Sequence, residues 1–342
     1  MTAFLTILLD SFRMLKSSLI FWITLGISGL VAVLYLALGF DEAGVTFFGF
    51  SIFEDEMVSK GTMGAEVLYK LIFDQFIIGA WLSWAAVILA LISCASIYPK
   101  MMEEGSAGML MTKRPSRLMI FFSKYLGSLL FIIVQVSLFV VIVLIAMRWR
   151  LGTWNFEILW FIPATVMVFS FLFSFLVLIA VWTRSVLTAI LLTMALWLIS
   201  FIVESVEESM YRSAITKEFF TEVFTEEKLD GQAELNEEES APNPWHRRVK
   251  IAYAIFPKIT PTIAEARKAQ TIRSEETGLP DPPEEEGLSD ETEGFFDGLT
   301  EGLEIETKVA ERHSLFYTIG TSLLFEAVML SLAARSFCRR EF

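Results

Sequence analysis

The chain has 342 residues, of which 54% are hydrophobic and 20% are charged, and its formal net charge is −13. Soluble domains are usually about 45–50% apolar, so this excess indicates lipid as the solvent for much of the chain. The only two cysteines, Cys94 and Cys338, belong to no CxxC pair, and this argues against a disulfide and against a metal site.

Six apolar runs follow one another along the chain. A bilayer core about 30 Å thick requires about 20 helical residues, and these runs are apolar on every side, as is typical of helices in lipid. The six runs are Leu19–Phe40, Phe76–Tyr98, Tyr125–Met147, Ile158–Trp182, Val186–Val203 and Leu315–Ala334. The sequence therefore predicts an all-α polytopic membrane protein with six transmembrane helices.

Residues 1–18 precede the first run and have a different pattern. Phe4, Leu8 and Leu15 recur at helical spacing, whereas the charged residues occupy other faces. This pattern predicts an interfacial amphipathic helix, and a plain extension of the first transmembrane helix is the alternative.

The basic residues of the short loops set the orientation. With the N-terminus inside, the inner segments hold 11 Lys and Arg residues and the short outer segments hold four. The outer four are Lys60, Lys70, Arg148 and Arg150. Because short cytoplasmic loops are enriched in Lys and Arg, both termini are predicted to be cytoplasmic, although Arg148 and Arg150 argue locally against this.

The negative charge is concentrated in one segment. Residues 204–313 contain 27 acidic and 12 basic residues, so the remainder of the chain is nearly neutral. We expect this segment to be a long extracytoplasmic loop, partly disordered, between helices five and six. The sequence therefore predicts four segments. They are the N-terminal interfacial helix at residues 1–18, helices one to five at 19–203 with a cytoplasmic hairpin at 99–124, the acidic loop at 204–313, and helix six with a basic tail at 314–342.

The sequence contains none of three common catalytic or nucleotide-binding motifs. It contains no phosphate-binding GxxxxGK[ST] loop, no HExxH and no GxSxG. The carboxylate clusters Glu237–Glu239 and Glu284–Glu286 lack the ligand spacing of a calcium loop, which favours a solvated acidic linker. We therefore expect no enzymatic activity and no directly bound cofactor.

Two polar residues interrupt the apolar runs. Glu326 falls near the middle of helix six, where an ionisable group costs about 2.5–3.5 kcal/mol on insertion scales. It is interpreted either as the polar lining of a pathway or subunit contact, or as a hydrogen-bonded carboxyl that holds helices together. Gln135 in helix three has the same two interpretations, with helix packing favoured.

A short charged segment joins helices two and three on the cytoplasmic side. Its motif residues are Glu104, Gly105, Ser106, Leu110, Ser116 and Arg117, followed by Lys124 and Gly127. This register resembles that of the type-2 ABC transporter permeases, except that Pro115 falls one position later than usual. The entry segment Asp10–Gly26 and the basic C-terminus are similar to the branch related to permeases of copper-enzyme maturation.

The resemblance implies a function and partners. A separate ABC ATPase subunit would hydrolyse ATP and dock below the helix that follows Glu104. A second permease subunit, identical or different, would complete the pathway in the lipid bilayer of a bacterial inner membrane. No nucleic-acid partner is expected, and the substrate is not specified by any residue.

Two alternatives remain open. The first is a secondary transporter or channel driven through Glu326, which predicts inverted repeats. The second is a membrane scaffold whose acidic extracytoplasmic segment recruits a partner.

Overall fold

The structure is a computed structural model that describes residues 19–41, 44–54, 69, 72–102, 116–151, 154–226, 244–275 and 313–339. The interfacial helix predicted at residues 1–18 lies outside these ranges, as do the clusters Glu237–Glu239 and Glu284–Glu286. The chain divides into two compact units. Unit 1 comprises Met1–Ala195 and Glu326–Phe342, and unit 2 comprises Leu196–Phe325.

Helices dominate the described residues. They are α1 (Leu19–Ala37), a π-helix (Phe73–Ala85) that continues into α2 (Ala86–Cys94), α3 (Ile97–Met101), α4 (Arg117–Leu151), a 3-10 helix (Phe156–Trp160) that continues into α5 (Phe161–Thr183), α6 (Val186–Glu226), α7 (Pro244–Ile255), α8 (Ile259–Glu275) and α9 (Leu315–Arg339). The chain is therefore a mostly helical, multi-pass membrane protein, as the apolar runs predict.

Five helical stretches in the described part of the chain are long and apolar enough to cross a bilayer. They are Phe76–Met101, Arg117–Arg150, Phe156–Thr183, Val186–Thr216 and Leu315–Arg339. The first predicted span, Leu19–Phe40, is shorter as a helix than expected, with an apolar stretch of Phe21–Ala37. Its last three residues enter a β-strand, so the expectation of continuous helix to Phe40 is wrong.

A three-stranded antiparallel sheet follows α1 and was not predicted. Its strands are β1 (Leu38–Asp41), β2 (Gly44–Phe47) and β3 (Phe50–Glu54), paired in the order β1-β2-β3. Phe48 and Gly49 form the turn between β2 and β3, both with positive φ, the conformation that two-residue hairpin turns require. The sheet is a small β element in an otherwise helical architecture.

Arg150 joins the end of α1, next to this sheet, to the end of α4. Its Nη2 and Nε donate to the backbone carbonyl of Leu36, at 2.9 and 3.3 Å. A Cβ on Gly39 would lie 2.5 Å from Nη1 of this guanidinium, so the glycine leaves the space that the arginine occupies. Arg148 lies over the Trp154 ring, 5.7 Å from its centroid. Arg148 and Arg150 thus both make local contacts at the end of α4.

The helix α5 forms the centre of unit 1. Most of its side chains are buried, including Phe169, Phe171 and Phe173. Phe173 stacks on Phe169 and on Tyr125 of α4, with ring centroids 5.0 and 5.4 Å apart. Burial of large aromatic rings against helical neighbours is the main packing feature around the intramembrane polar residues.

The helix predicted from Val186 begins in unit 1 and continues into unit 2, far beyond the apolar run. α6 extends to Glu226, and α7 and α8 follow within the acidic segment. Phe256, Pro257 and Lys258 separate α7 from α8. The buried side chains of Tyr253, Ile259 and Ile263 form the local core.

Candidate functional site

Most of the predicted ATPase-coupling residues lie outside the described residues. These are Glu104, Gly105, Ser106, Leu110 and Pro115. Ser116 and Arg117, the last two residues of the motif, lie at the start of α4 and are described.

Ser116 and Arg117 fix the beginning of α4. Ser116 Oγ accepts a hydrogen bond from the backbone N–H of Met119 at 3.2 Å, so Ser116 acts as the N-cap of the helix. The Arg117 guanidinium donates to the backbone carbonyl of Cys338 at 3.0 Å. Cys338 is the penultimate residue of α9, where carbonyl groups lack helical donors. Arg117 therefore connects the start of α4 to the end of α9.

The residues on the other side of the segment are held to α4 as well. The buried hydroxyl of Tyr98 donates to the carbonyl of Phe121 at 3.0 Å. Phe121 also contacts Phe337 of α9, with centroids 5.8 Å apart. Both flanks of the predicted coupling segment are thus anchored in one packed cluster with the end of α9.

Glu326 makes a polar cluster inside unit 1. Its Oε1 accepts hydrogen bonds from the Tyr125 hydroxyl at 2.8 Å and from the Ser170 hydroxyl at 2.5 Å. Tyr125 and Ser170 are buried, and Glu326 is half-buried. The Tyr125 hydroxyl also lies 3.2 Å from the Ser170 carbonyl and 3.1 Å from its Oγ. The cluster joins α4, α5 and α9.

The two hydrogen bonds to Glu326 Oε1 both come from neutral hydroxyl groups, those of Tyr125 and Ser170. Two O–H donors can stabilise either an ionised carboxylate or the carbonyl oxygen of a protonated one. The cluster can therefore hold Glu326 within an apolar environment in either protonation state.

Gln135 lies away from this cluster. It is 10 residues from Tyr125 on α4, or about 15 Å along the helix. Its Nε2 donates to Ser28 Oγ of α1 at 3.2 Å, and both side chains are buried. Its Oε1 has no hydrogen-bond partner among the described residues. The structure places Gln135 in a contact between α1 and α4, and does not bring it together with Glu326.

Unit 2 contains a second polar site that the sequence analysis missed. The buried carboxylate of Glu204 in α6 accepts hydrogen bonds from the backbone N–H groups of Ile259 and Thr260, at 2.7 and 3.2 Å. These are the first two residues of α8, whose N–H groups have no acceptor within the helix. A carboxylate at this end is also favoured by the helix dipole. Glu204 thus attaches α8 to α6.

Lys258 lies immediately before α8 and is fully buried. Its Nζ donates to Thr321 Oγ1 at 2.7 Å and to the Tyr253 carbonyl at 2.9 Å. The same ammonium lies 4.7 Å from the ring centroid of Tyr253 and 5.1 Å from that of Tyr317. Burial lowers the pKa of Lys258 to about 8, although the carboxylates of Glu204 and Glu207 raise it.

His313 completes this cluster. Its ring stacks on Tyr253 at 4.9 Å and lies 5.1 Å from Tyr317. Its Nε2 is 3.1 Å from the Glu207 carboxylate. The described residues contain no group of three or more His, Cys, Asp or Glu side chains that could hold a metal ion. The site is therefore best described as a buried cationic and aromatic contact between α6, α7 and α9.

The chain was compared with known proteins. No family model, no curated protein and no solved structure matches it. The resemblance to type-2 ABC permeases therefore rests on the motif residues of the sequence.

Proposed function

We propose that this chain is the membrane-spanning permease subunit of an ABC exporter. It would span a bacterial inner membrane six times with both termini inside, α1 being the first span. An ABC ATPase subunit would hydrolyse ATP, and a second permease subunit would complete the pathway. The chain itself would bind no cofactor.

The motif from Glu104 to Gly127 carries the proposal. Apart from the position of Pro115, its register resembles that of the segment by which the permease family contacts its ATPase, and no phosphate-binding loop occurs in this sequence. The contact from Arg117 to Cys338 supports the same function, because a displacement of the segment would act on the start of α4 and on the end of α9 together.

The polar cluster lies on the same two helices. Tyr125 is eight residues, or about 12 Å, along α4 from Arg117. Its hydroxyl binds Glu326 of α9, so movement of α4 relative to α9 would change this hydrogen bond. Motion imposed by ATP hydrolysis would thereby alter the polar surface that the intramembrane part of the chain presents.

Co-purification with the ATPase tests the proposal. The chain and a candidate ABC ATPase subunit from the same organism would be expressed together and purified through a tag on the chain. Gly105→Pro and Glu104→Arg are expected to abolish recovery of the ATPase, whereas Glu103→Arg, which lies outside the motif, should leave it unchanged. Recovery of the ATPase with all three variants would show that the segment is not the contact.

A secondary transporter is the second candidate, and Glu326 favours it. A carboxyl that is hydrogen-bonded only by Tyr125 and Ser170 among the described residues could carry a proton across its apolar surroundings. Glu326→Gln retains an oxygen acceptor but cannot titrate. Transport that needs a proton gradient, continues without any ATPase and is abolished by Glu326→Gln would favour this candidate over the exporter.

A further inference from the structure

The helix α7 presents a basic and apolar face outside the packed core of unit 2. Arg247 and Lys250 are exposed, and Ile251 and Ile255 are 52% and 61% exposed. Arg247, Ile251 and Ile255 follow at intervals of four residues, so they form one stripe along the helix. Arg248, also exposed, lies beside the stripe.

The opposite face of α7 is anchored. Tyr253 is 2% exposed and packs on His313, with ring centroids 4.9 Å apart. Three residues beyond Ile255, the backbone N–H of Lys258 donates to Ser322 Oγ of α9 at 3.0 Å. The orientation of α7 is thus fixed, and its stripe is held on the outer side.

The contacts of Lys258 and α8 place the end of α7 at the edge of the hydrocarbon layer. Ser322 is seven residues, about 10 Å, inside the apolar run that begins at Leu315. Glu204, which holds the start of α8, directly follows the apolar run Val186–Val203. Both helices therefore put the turn after Ile255 at the boundary between lipid and water or slightly within it.

We propose that α7 is an interfacial helix that binds anionic phospholipid headgroups. Arg247 and Lys250 contact the phosphates, and Ile251 and Ile255 enter the acyl boundary, as in other amphipathic helices at membrane surfaces. α7 has three Lys and Arg residues and no Asp or Glu, within a segment of 27 acidic and 12 basic residues. The positive charge of α7 within an acidic segment favours binding to an anionic membrane surface.

Quenching by brominated lipids tests this proposal in the full chain. Cys94 and Cys338 are replaced by Ala, and Ile255→Cys carries an environment-sensitive fluorophore. The vesicles contain equal parts of phosphatidylcholine and phosphatidylglycerol, of which one or the other is brominated. Arg212→Cys is the matched control, because it lies eight residues beyond Glu204 on α6, about 12 Å further from the apolar run.

The label at position 255 should be quenched, and the label at position 212 should not. Brominated phosphatidylglycerol should quench position 255 up to about fivefold more than brominated phosphatidylcholine, since each basic residue near an anionic surface favours it by about fivefold in affinity. Arg247→Gln with Lys250→Gln should equalise the two lipids, whereas Arg212→Gln should not.

Two results would overturn the proposal. An unquenched label at position 255 would mean that water or a protein covers the stripe. Equal quenching by the two lipids in the parent chain would mean that α7 has no preference for anionic headgroups.

Discussion

Replacement of Glu326 by Gln or by Leu separates the two roles of this carboxyl. Glu326 Oε1 accepts from Tyr125 and Ser170. The amide oxygen of Gln can accept both bonds in the same geometry, whereas Leu removes the acceptor. We expect Glu326→Gln to preserve the stability of unit 1 and Glu326→Leu to reduce it.

The expected cost of Glu326→Leu is modest. Hydrogen bonds between membrane helices contribute about 0.6 kcal/mol on average and at most about 1.7. Two bonds are lost, but the Tyr125 hydroxyl already lies 3.2 Å from the Ser170 carbonyl and 3.1 Å from its Oγ. Because the Tyr125 and Ser170 groups can hydrogen-bond to each other, neither hydroxyl is left without a partner. The free energy of unfolding should therefore fall by about 1–2 kcal/mol, which is less than the cost of leaving two buried hydroxyls unpaired.

The measurement is the free energy of unfolding in mixed micelles, with Ser331→Ala on an exposed position of α9 as the control. In the exporter account, Glu326→Gln also retains ATPase stimulation. If Gln destabilises the chain as much as Leu does, the carboxyl is not held through Oε1 and the reasoning fails.

Three further predictions concern the contacts that fix the helix ends. Glu204→Ala should weaken local stability at the start of α8 by about 2–4 kcal/mol in hydrogen exchange, because two N–H groups lose their carboxyl acceptor. An equal effect of Glu208→Ala, which alters a half-exposed glutamate four residues further along α6, would refute this. Because the pKa of Lys258 is lowered in the folded chain, the unfolded chain binds more protons than the folded chain between pH 8 and 10.5. The melting temperature should therefore rise with pH over this range, and Lys258→Met should abolish the rise. An identical dependence on pH in both proteins would count against the lowered pKa. Arg150→Gln should lower the free energy of unfolding by about 1 kcal/mol, because the Leu36 carbonyl loses its hydrogen-bond donor. Arg148→Gln should lower it by less. The reverse order would contradict the hydrogen bond from Arg150 to Leu36.

The apolar runs predicted the positions of the helices well because lipid imposes a strong length and composition requirement. The starts of α6 and α9 coincide with the predicted Val186 and Leu315. The sheet was missed because its strands are only four or five residues long and lie in a mixed segment. Gly49 between two aromatic stretches was a usable signal for a hairpin turn.

The polar sites were predictable only where one residue contrasts with its neighbours. Glu326 is visible as a carboxyl in an apolar run, whereas its partners Tyr125 and Ser170 are ordinary residues of apolar helices. Glu204 and Lys258 could not be paired from sequence, because their contacts depend on how α6, α8 and α9 pack and no spacing rule connects positions so far apart in the chain.

The contact between the segment after Glu104 and an ATPase subunit is the central claim, and site-specific photocrosslinking tests it directly. A photoreactive amino acid at Leu110 would be irradiated in membranes that contain the chain and the candidate ABC ATPase subunit. The same residue at Phe316, which is 86% exposed near the opposite end of α9 from Cys338, is the control. The account predicts a crosslink to the ATPase from position 110 and none from position 316. No crosslink from position 110, with the ATPase present in the same membranes, would contradict it.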